Sequence, residues 1–284
     1  MPKSRQRLSG LSVPYLLTLP AVTFIAIFFI VPIYALIRTT FLTSGGDFTL
    51  ALYKAVLSDS YSWWLLWRTF WISAVVTLIC FILAFPVAVF VRQLSAGWQA
   101  LVVFLLLSPL LTSVVVRTLG WVVLLGPRGL VNEALAQLGY SPLPLMYNDF
   151  AIIIGLVHVF MGYMVLAMLT SVGKIDENLL LAANNLGAPQ PVAVMLVILP
   201  LSLPGAIAGS LLVFSMAASA YATPLLLGGT GSRVTAIEIY DLAITYLQWP
   251  EAAAYACLLF ILIATTVATG TFVAESGRRK IIFK

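Results

Sequence analysis

Residues 181–200 read LAANNLGAPQPVAVMLVILP. The pairs Ala182–Ala183 and Asn184–Asn185, then Gly187, Pro189 and Pro191, interrupt a chain that is otherwise oily. Of 284 residues, 62% are hydrophobic and 9% are charged, and mean hydropathy is +1.07. A soluble globular domain carries about 25% charged residues. Long apolar runs with so little charge mark an all-α, polytopic membrane helical bundle. An outer-membrane barrel would alternate apolar and polar residues over segments of about ten, whereas these runs are continuous. The stretch at 181–200 begins too polar to cross a bilayer, so its reading decides how the bundle is joined and used.

Outward from it, six transmembrane helices can be drawn, at about 14–37, 69–91, 99–125, 150–172, 192–222 and 251–274. Each has roughly the 20 residues that cross ~30 Å of hydrocarbon. They make one six-span domain, 14–274, between a basic N-terminal segment, 1–13, and a basic tail, 275–284. Lys3, Arg5 and Arg7 precede the first span as they would in a signal peptide. Its apolar run is longer than a signal h-region and no A-x-A site follows, so it is expected to stay. With six spans both termini share a side. That side holds Lys3, Arg5, Arg7, Arg92, Lys174, Arg278, Arg279, Lys280 and Lys284; the other holds Arg38, Lys54, Arg68, Arg128 and Arg233. Nine basic residues against five put both termini in the cytoplasm of a bacterial inner membrane. The net charge of +5 therefore reports orientation and gives no reason to expect nucleic acid. Cys80 and Cys257 lie inside apolar runs and read as packing residues. With one histidine, they make no persuasive transition-metal site.

Between spans four and five, on the cytoplasmic side, Asp176 can cap a helix and Glu177 can sit in its first turn, where negative charge suits the helix dipole. ENLLLAANNL then gives about three turns, and Gly187 stops the helix as a residue free to take positive φ. Pro191 can open span five. Such a helix is too short to hold itself together in water and must pack on something, either its own bundle or a partner. Ala182 and Ala183 allow a close approach. Leu179, Ala183 and Leu186 follow one face at helical spacing.

These residues resemble a family. Permease subunits of binding-protein-dependent ABC importers carry a cytoplasmic "EAA loop", Glu-Ala-Ala-x-x-x-Gly, followed by an apolar residue and Leu-Pro. Ala182-Ala183, Gly187, Val197 or Ile198, and Leu199-Pro200 match it. Leu181 stands where the family usually has glutamate, which puts a charge contact with the ATPase in doubt and leaves the helix–Gly–helix geometry. VVVRTLGWVVLLGPRGLVNEAL (114–135), ATPLLLGG (222–229), LPAVTF and VPIYALIRTTF in the first span are similar to the spermidine/putrescine-type, or polyamine, branch. The resemblance runs from about residue 14 to 274. It implies a type I ABC importer permease fold and ATP-driven uptake. Two permeases, in this branch usually different chains, would form the pathway, two ATP-binding subunits would drive it, and a periplasmic solute-binding protein would deliver solute. The segment 176–191 would be the coupling segment, with Asp176, Glu177, Ala182, Ala183, Gly187 and Pro200 as its residues. ATP would be bound by the partner ATPase, and this chain would hold no cofactor and be no enzyme.

The chain's own motifs agree. It has no G-x-x-x-x-G-K-[ST] to cradle phosphates. GGTGS at 228–232 lacks the lysine and reads as a flexible outer loop. Four polar residues are pathway or gate candidates. Arg117 lies in an apolar span and should face an interior, a cavity or a partner, paired with Asp149, Glu238 or Asp241, unless it snorkels to head groups. His158, mid-span, reads as an interior hydrogen-bonder. Glu238 and Asp241 would share a helix face and, with Tyr240, Tyr246 and Trp249 nearby, could attract a cation; an ordinary outer loop fits as well. Tyr61, Trp63, Trp64 and Trp67, in the loop 38–68, would anchor a span at the interface or form a ligand platform. Pro200, Pro204, Gly205 and Gly209 predict a bent span five. The alternatives are an importer of the same build for an opine, a phosphonate or a metal complex, and an ion-coupled secondary transporter. A membrane-embedded enzyme would need clustered His, Asp or Glu at ligand spacing, a pattern the sequence does not contain.

Overall fold

The structure is a computed structural model and describes residues 18–42, 47–229 and 231–282. The segment 1–13, with Lys3, Arg5 and Arg7, lies outside the described residues. In chain order the helices are α1 (Thr18–Phe41), α2 (Ala51–Ser58), α3 (Ser60–Arg92), α4 (Ala96–Leu111), α5 (Val114–Leu125), α6 (Leu130–Gln137), α7 (Asp149–Val172), α8 (Glu177–Asn185), α9 (Gln190–Ala218), α10 (Ala222–Gly228), α11 (Thr235–Tyr240) and α12 (Trp249–Ile282). Among the described residues there is no strand, only an isolated bridge between Leu42 and Phe48. Six segments are long and apolar enough to cross a membrane.

The third span departs from the sequence reading. The run 99–125 is two helices, α4 and α5, because Thr112 and Ser113 are extended, at φ −89° ψ 142° and φ −54° ψ 136°. The apolar pattern runs straight through this break. The local cause is the Thr112 hydroxyl, which bonds back to the Pro109 carbonyl at 2.9 Å and offers that acceptor an alternative to the next helical N–H. Span two begins earlier than expected, at Ser60, so Tyr61, Trp63, Trp64 and Trp67 sit in the first turns of α3 and not in a loop. Residues 275–282 extend α12.

Two prolines are accommodated in the same way. Pro32 and Pro200 each follow a π turn, Ala26–Ile30 and Val194–Ile198. A helical proline lacks an N–H and its ring meets the carbonyl four residues back. For both, that carbonyl lies in the widened turn, which relieves the clash and leaves the helix continuous.

The chain divides into two compact units, Met1–Asp59 with Ile239–Cys257, and Ser60–Glu238 with Leu258–Lys284. In the first, most large apolar side chains of α1 are exposed, as suits a helix bathed in hydrocarbon, and Thr40 bonds to the Tyr53 hydroxyl of α2 at 2.9 Å. In the second, α3, α7 and α9 pack on one another. Ile72, Val76, Cys80, Ala84 and Ala88 recur every fourth residue along α3 and are buried against Met164, Val165 and Met168 of α7 and Ala206, Val213 and Ala217 of α9. In lipid, helices gain by close packing more than by leaving water. Gly205 of α9 shows how close: a Cβ there would meet the Ala167 carbonyl oxygen of α7 at 2.6 Å.

Candidate functional site

On the side of the α3–α4 and α7–α9 connections, α8 is built as its sequence predicts. Asp176 caps it, its Oδ1 accepting from the Asn178 N–H at 2.9 Å. After Asn185 the chain turns at Gly187, whose φ of +87° is the left-handed region that favours glycine. The Ala188 N–H closes the turn on the Ala183 carbonyl at 3.1 Å. Pro189 then stands at the start of α9, with Pro191 in its first turn, and Pro200 lies beyond the π turn.

The helix has two faces. Leu180 packs on the bundle core, and Ala183 is half-buried beside it. Asn178, Leu181, Ala182 and Asn185, spaced as one helical stripe, point away and are exposed. Leu181 is 58% exposed and Leu186 is 89% exposed, which is unusual for leucine on a segment outside the bilayer core. The outward stripe carries no charge. Ala182 is therefore the alanine available to a partner, more than Ala183.

The mid-span candidates are placed differently from the sequence reading. Arg117 pairs with none of Asp149, Glu238 and Asp241. Its Nη1 donates to the Pro109 carbonyl, an acceptor that also takes the Thr112 hydroxyl at 2.9 Å. The break at Thr112–Ser113 leaves that carbonyl without the N–H of a further turn, and a cation at a helix C-terminus is favourable. His158 is not an interior hydrogen-bonder. It is exposed on α7, edge-on to Trp121 of α5 with ring centroids 5.6 Å apart. His158 is thus exposed beside Trp121, which is itself partly buried against the cluster of Leu125 and Met146.

The acidic candidates are engaged. Glu238 Oε2 lies 3.1 Å from Arg233 and accepts from the Tyr61 hydroxyl at 3.0 Å. Asp149, in the first turn of α7, is ion-paired with Arg68. Asp241 opens a π turn, Asp241–Thr245, after α11.

Two residues that the sequence reading passed over as mere counts of charge are organising centres. Arg68 of α3 holds Asp149, the Gly231 carbonyl at 3.0 Å and the Ser232 hydroxyl at 2.9 Å, and lies over the Trp64 ring. Beside it Thr69 bonds to Thr235 at 2.8 Å. This network fixes the loop after α10 onto α3 and α7. Arg92, the last residue of α3, donates to the Ile175 carbonyl at 2.6 Å, just before α8. Asn132, 2% exposed, bonds to Gly126 and Leu143 and folds the loop around α6.

Comparison with known proteins follows the same lines. The family of binding-protein-dependent transport system inner membrane components matches residues 96–276. The chain is 33% identical over 248 residues to the spermidine/putrescine transport system permease protein PotB of Escherichia coli (strain K12), covering 84% of this chain and 90% of that one. It is 29% identical to the protein of the same name from Haemophilus influenzae, covering 84% and 86%. Among solved structures, a bacterial ABC transporter involved in import of the acidic polysaccharide alginate has a chain that superposes with TM-score 0.80 at 17% identity, covering 93% of this chain and 95% of that one. The alginate transporter in complex with a pentasaccharide-bound periplasmic protein gives TM-score 0.81 at 16% identity, covering 97% and 98%. In this family ATP hydrolysis is carried by a separate subunit. The chain belongs to the binding-protein-dependent transport system inner membrane components: it is a multi-pass inner-membrane permease subunit of an ABC importer.

Proposed function

We propose that this permease imports polyamines of the spermidine/putrescine type, and that α8 is the element through which an ATPase drives it. The coupling reading is carried by one observation: a short capped helix, hung on a positive-φ glycine, presents an exposed, uncharged stripe of Asn178, Leu181, Ala182 and Asn185. A nine-residue helix cannot stand alone in water, and an outward stripe of small and uncharged side chains around Leu181 suits a close-fitting groove of a partner. The substrate class rests on the relatives named for spermidine and putrescine. Both termini, and α8 with them, are assigned to the cytoplasm by the bias of basic residues. ATP is held by the partner ATPase pair, the second permease is a different chain, and a periplasmic binding protein delivers solute from the opposite face.

The chemistry sets limits on where a polyamine is held. Glu238 and Asp149 are neutralised by Arg233 and Arg68, so they do not serve as free carboxylates for an organic cation. Arg117 is assigned a structural role, holding the end of α4 through the Pro109 carbonyl. The test is ATP hydrolysis by the purified complex in lipid discs, with its binding protein and spermidine, putrescine or an unrelated amino acid. Stimulation by a polyamine alone supports the reading, and stimulation by the amino acid or by none of them overturns the substrate.

A further inference from the structure

The polar group at the foot of α8 is built as a joint. α8 packs as an element on the first turns of α9, joined to it through Gly187. Its N-terminal end has a second attachment. Arg92 Nη2 donates to the Ile175 carbonyl at 2.6 Å and lies 3.9 Å from Glu177 Oε1, the first residue of α8. The side chain is 11% exposed, and its Nη1 is buried with no hydrogen-bond partner among the described residues. Ile175 is itself buried in the core. Gln99 of α4 donates to the carbonyls of Arg92 at 3.2 Å and Leu94 at 3.0 Å, so the α3–α4 turn is tied into the same knot.

A largely buried guanidinium that makes one short bond, one loose ion pair and leaves one nitrogen idle is a costly arrangement if its only role is stability. It suits a part that must hold one contact while exchanging another. The bond to Ile175 fixes a pivot. Glu177, 83% exposed, stands just beyond hydrogen-bond distance and can be drawn in or released as α8 tilts. We propose that Arg92 is a positioning residue of the transport cycle: it passes displacement of α8 to α3 and, through Gln99, to α4, while Gly187 passes it to α9. This rests on the reading that an ATPase seats on α8.

The experiment uses the whole complex, permeases with ATPase and binding protein, reconstituted in proteoliposomes. Uptake of radiolabelled spermidine and ATP hydrolysis are measured side by side for wild type, Arg92→Ala and Arg92→Lys. Arg92→Ala is expected to retain the ATPase on the complex and its basal hydrolysis, while spermidine moved per ATP falls on the order of tenfold. Arg92→Lys keeps the charge on a shorter side chain, whose nitrogen cannot sit where Nη2 meets both Ile175 and Glu177, and should fall between. A purely structural role would lower yield and leave the ratio unchanged. A wild-type ratio in Arg92→Ala overturns the proposal, and if that variant does not assemble, a wild-type ratio in Arg92→Lys does so instead. Failure of the underlying reading looks different: the wild-type chain itself would not retain an ATPase.

Discussion

Gly187 gives the sharpest single test of the α8 geometry. Its φ is +87°, and a Cβ built there would meet nothing within 4 Å. Steric crowding is thus removed as a variable and only backbone preference remains. An L-residue other than glycine in the left-handed region costs about 1–2 kcal/mol, with asparagine the best tolerated. α8 has nine residues and is marginal without its cap and turn, so the cost falls directly on the population with the hinge formed. At a factor of ten per 1.4 kcal/mol, Gly187→Ala should weaken retention of the ATPase about 5- to 30-fold. Gly187→Asn should stay nearer to wild type, and Gly187→Val should be worse than alanine because a β-branched residue tolerates positive φ least. The assay is titration of purified ATPase onto the permease in lipid discs, followed by fluorescence. If alanine and asparagine at this position bind the ATPase equally well, the positive φ is not what the hinge needs and the reasoning fails.

Two further substitutions probe the frame. Arg68→Ala removes the partner of Asp149 and the donors to Gly231 and Ser232; because Asp149 is 46% exposed, the loss is set by charged hydrogen bonds at about 1.5–3 kcal/mol, seen as a lower melting temperature in detergent with faster hydrogen exchange in the loop after α10. Gly205→Ala places a methyl against the Ala167 carbonyl and the Ser171 side chain and should cost about 1–3 kcal/mol by overpacking, read as reduced thermal stability that Ser171→Gly partly restores.

Much of this molecule could be read before folding because its determinants are local. Continuous apolar runs fix helices in lipid, where every backbone group must be satisfied within its own segment. The cap at Asp176 and the stop at Gly187 depend on residues within a few positions of each other, and α8 lies where its sequence puts it. What escaped the sequence was decided by distant or backbone partners. The break in span three carries little change in hydropathy; the hydroxyl pair Thr112–Ser113 was its mark. Arg117 found a carbonyl exposed by that break, and no list of acidic residues could have named it. Arg68 and Arg92 looked like topology markers, yet their partners lie 81 and 83 residues away along the chain. Glu238 looked like a cation site because Arg233 and Tyr61 close on it only in three dimensions.

The central claim, that α8 seats its outward stripe on an ATPase, is tested most directly by cross-linking from that stripe. Ala182→Cys, in a background where Cys80 and Cys257 are replaced by alanine, would be treated in membranes with a short thiol–amine cross-linker, with and without ATP. Leu101→Cys, exposed on α4, is the control. The account predicts a product joining this chain to the ATP-binding subunit from position 182 and none from position 101, with the yield changing when ATP is added. No such product from position 182, in membranes where the complex hydrolyses ATP and takes up solute, would contradict it.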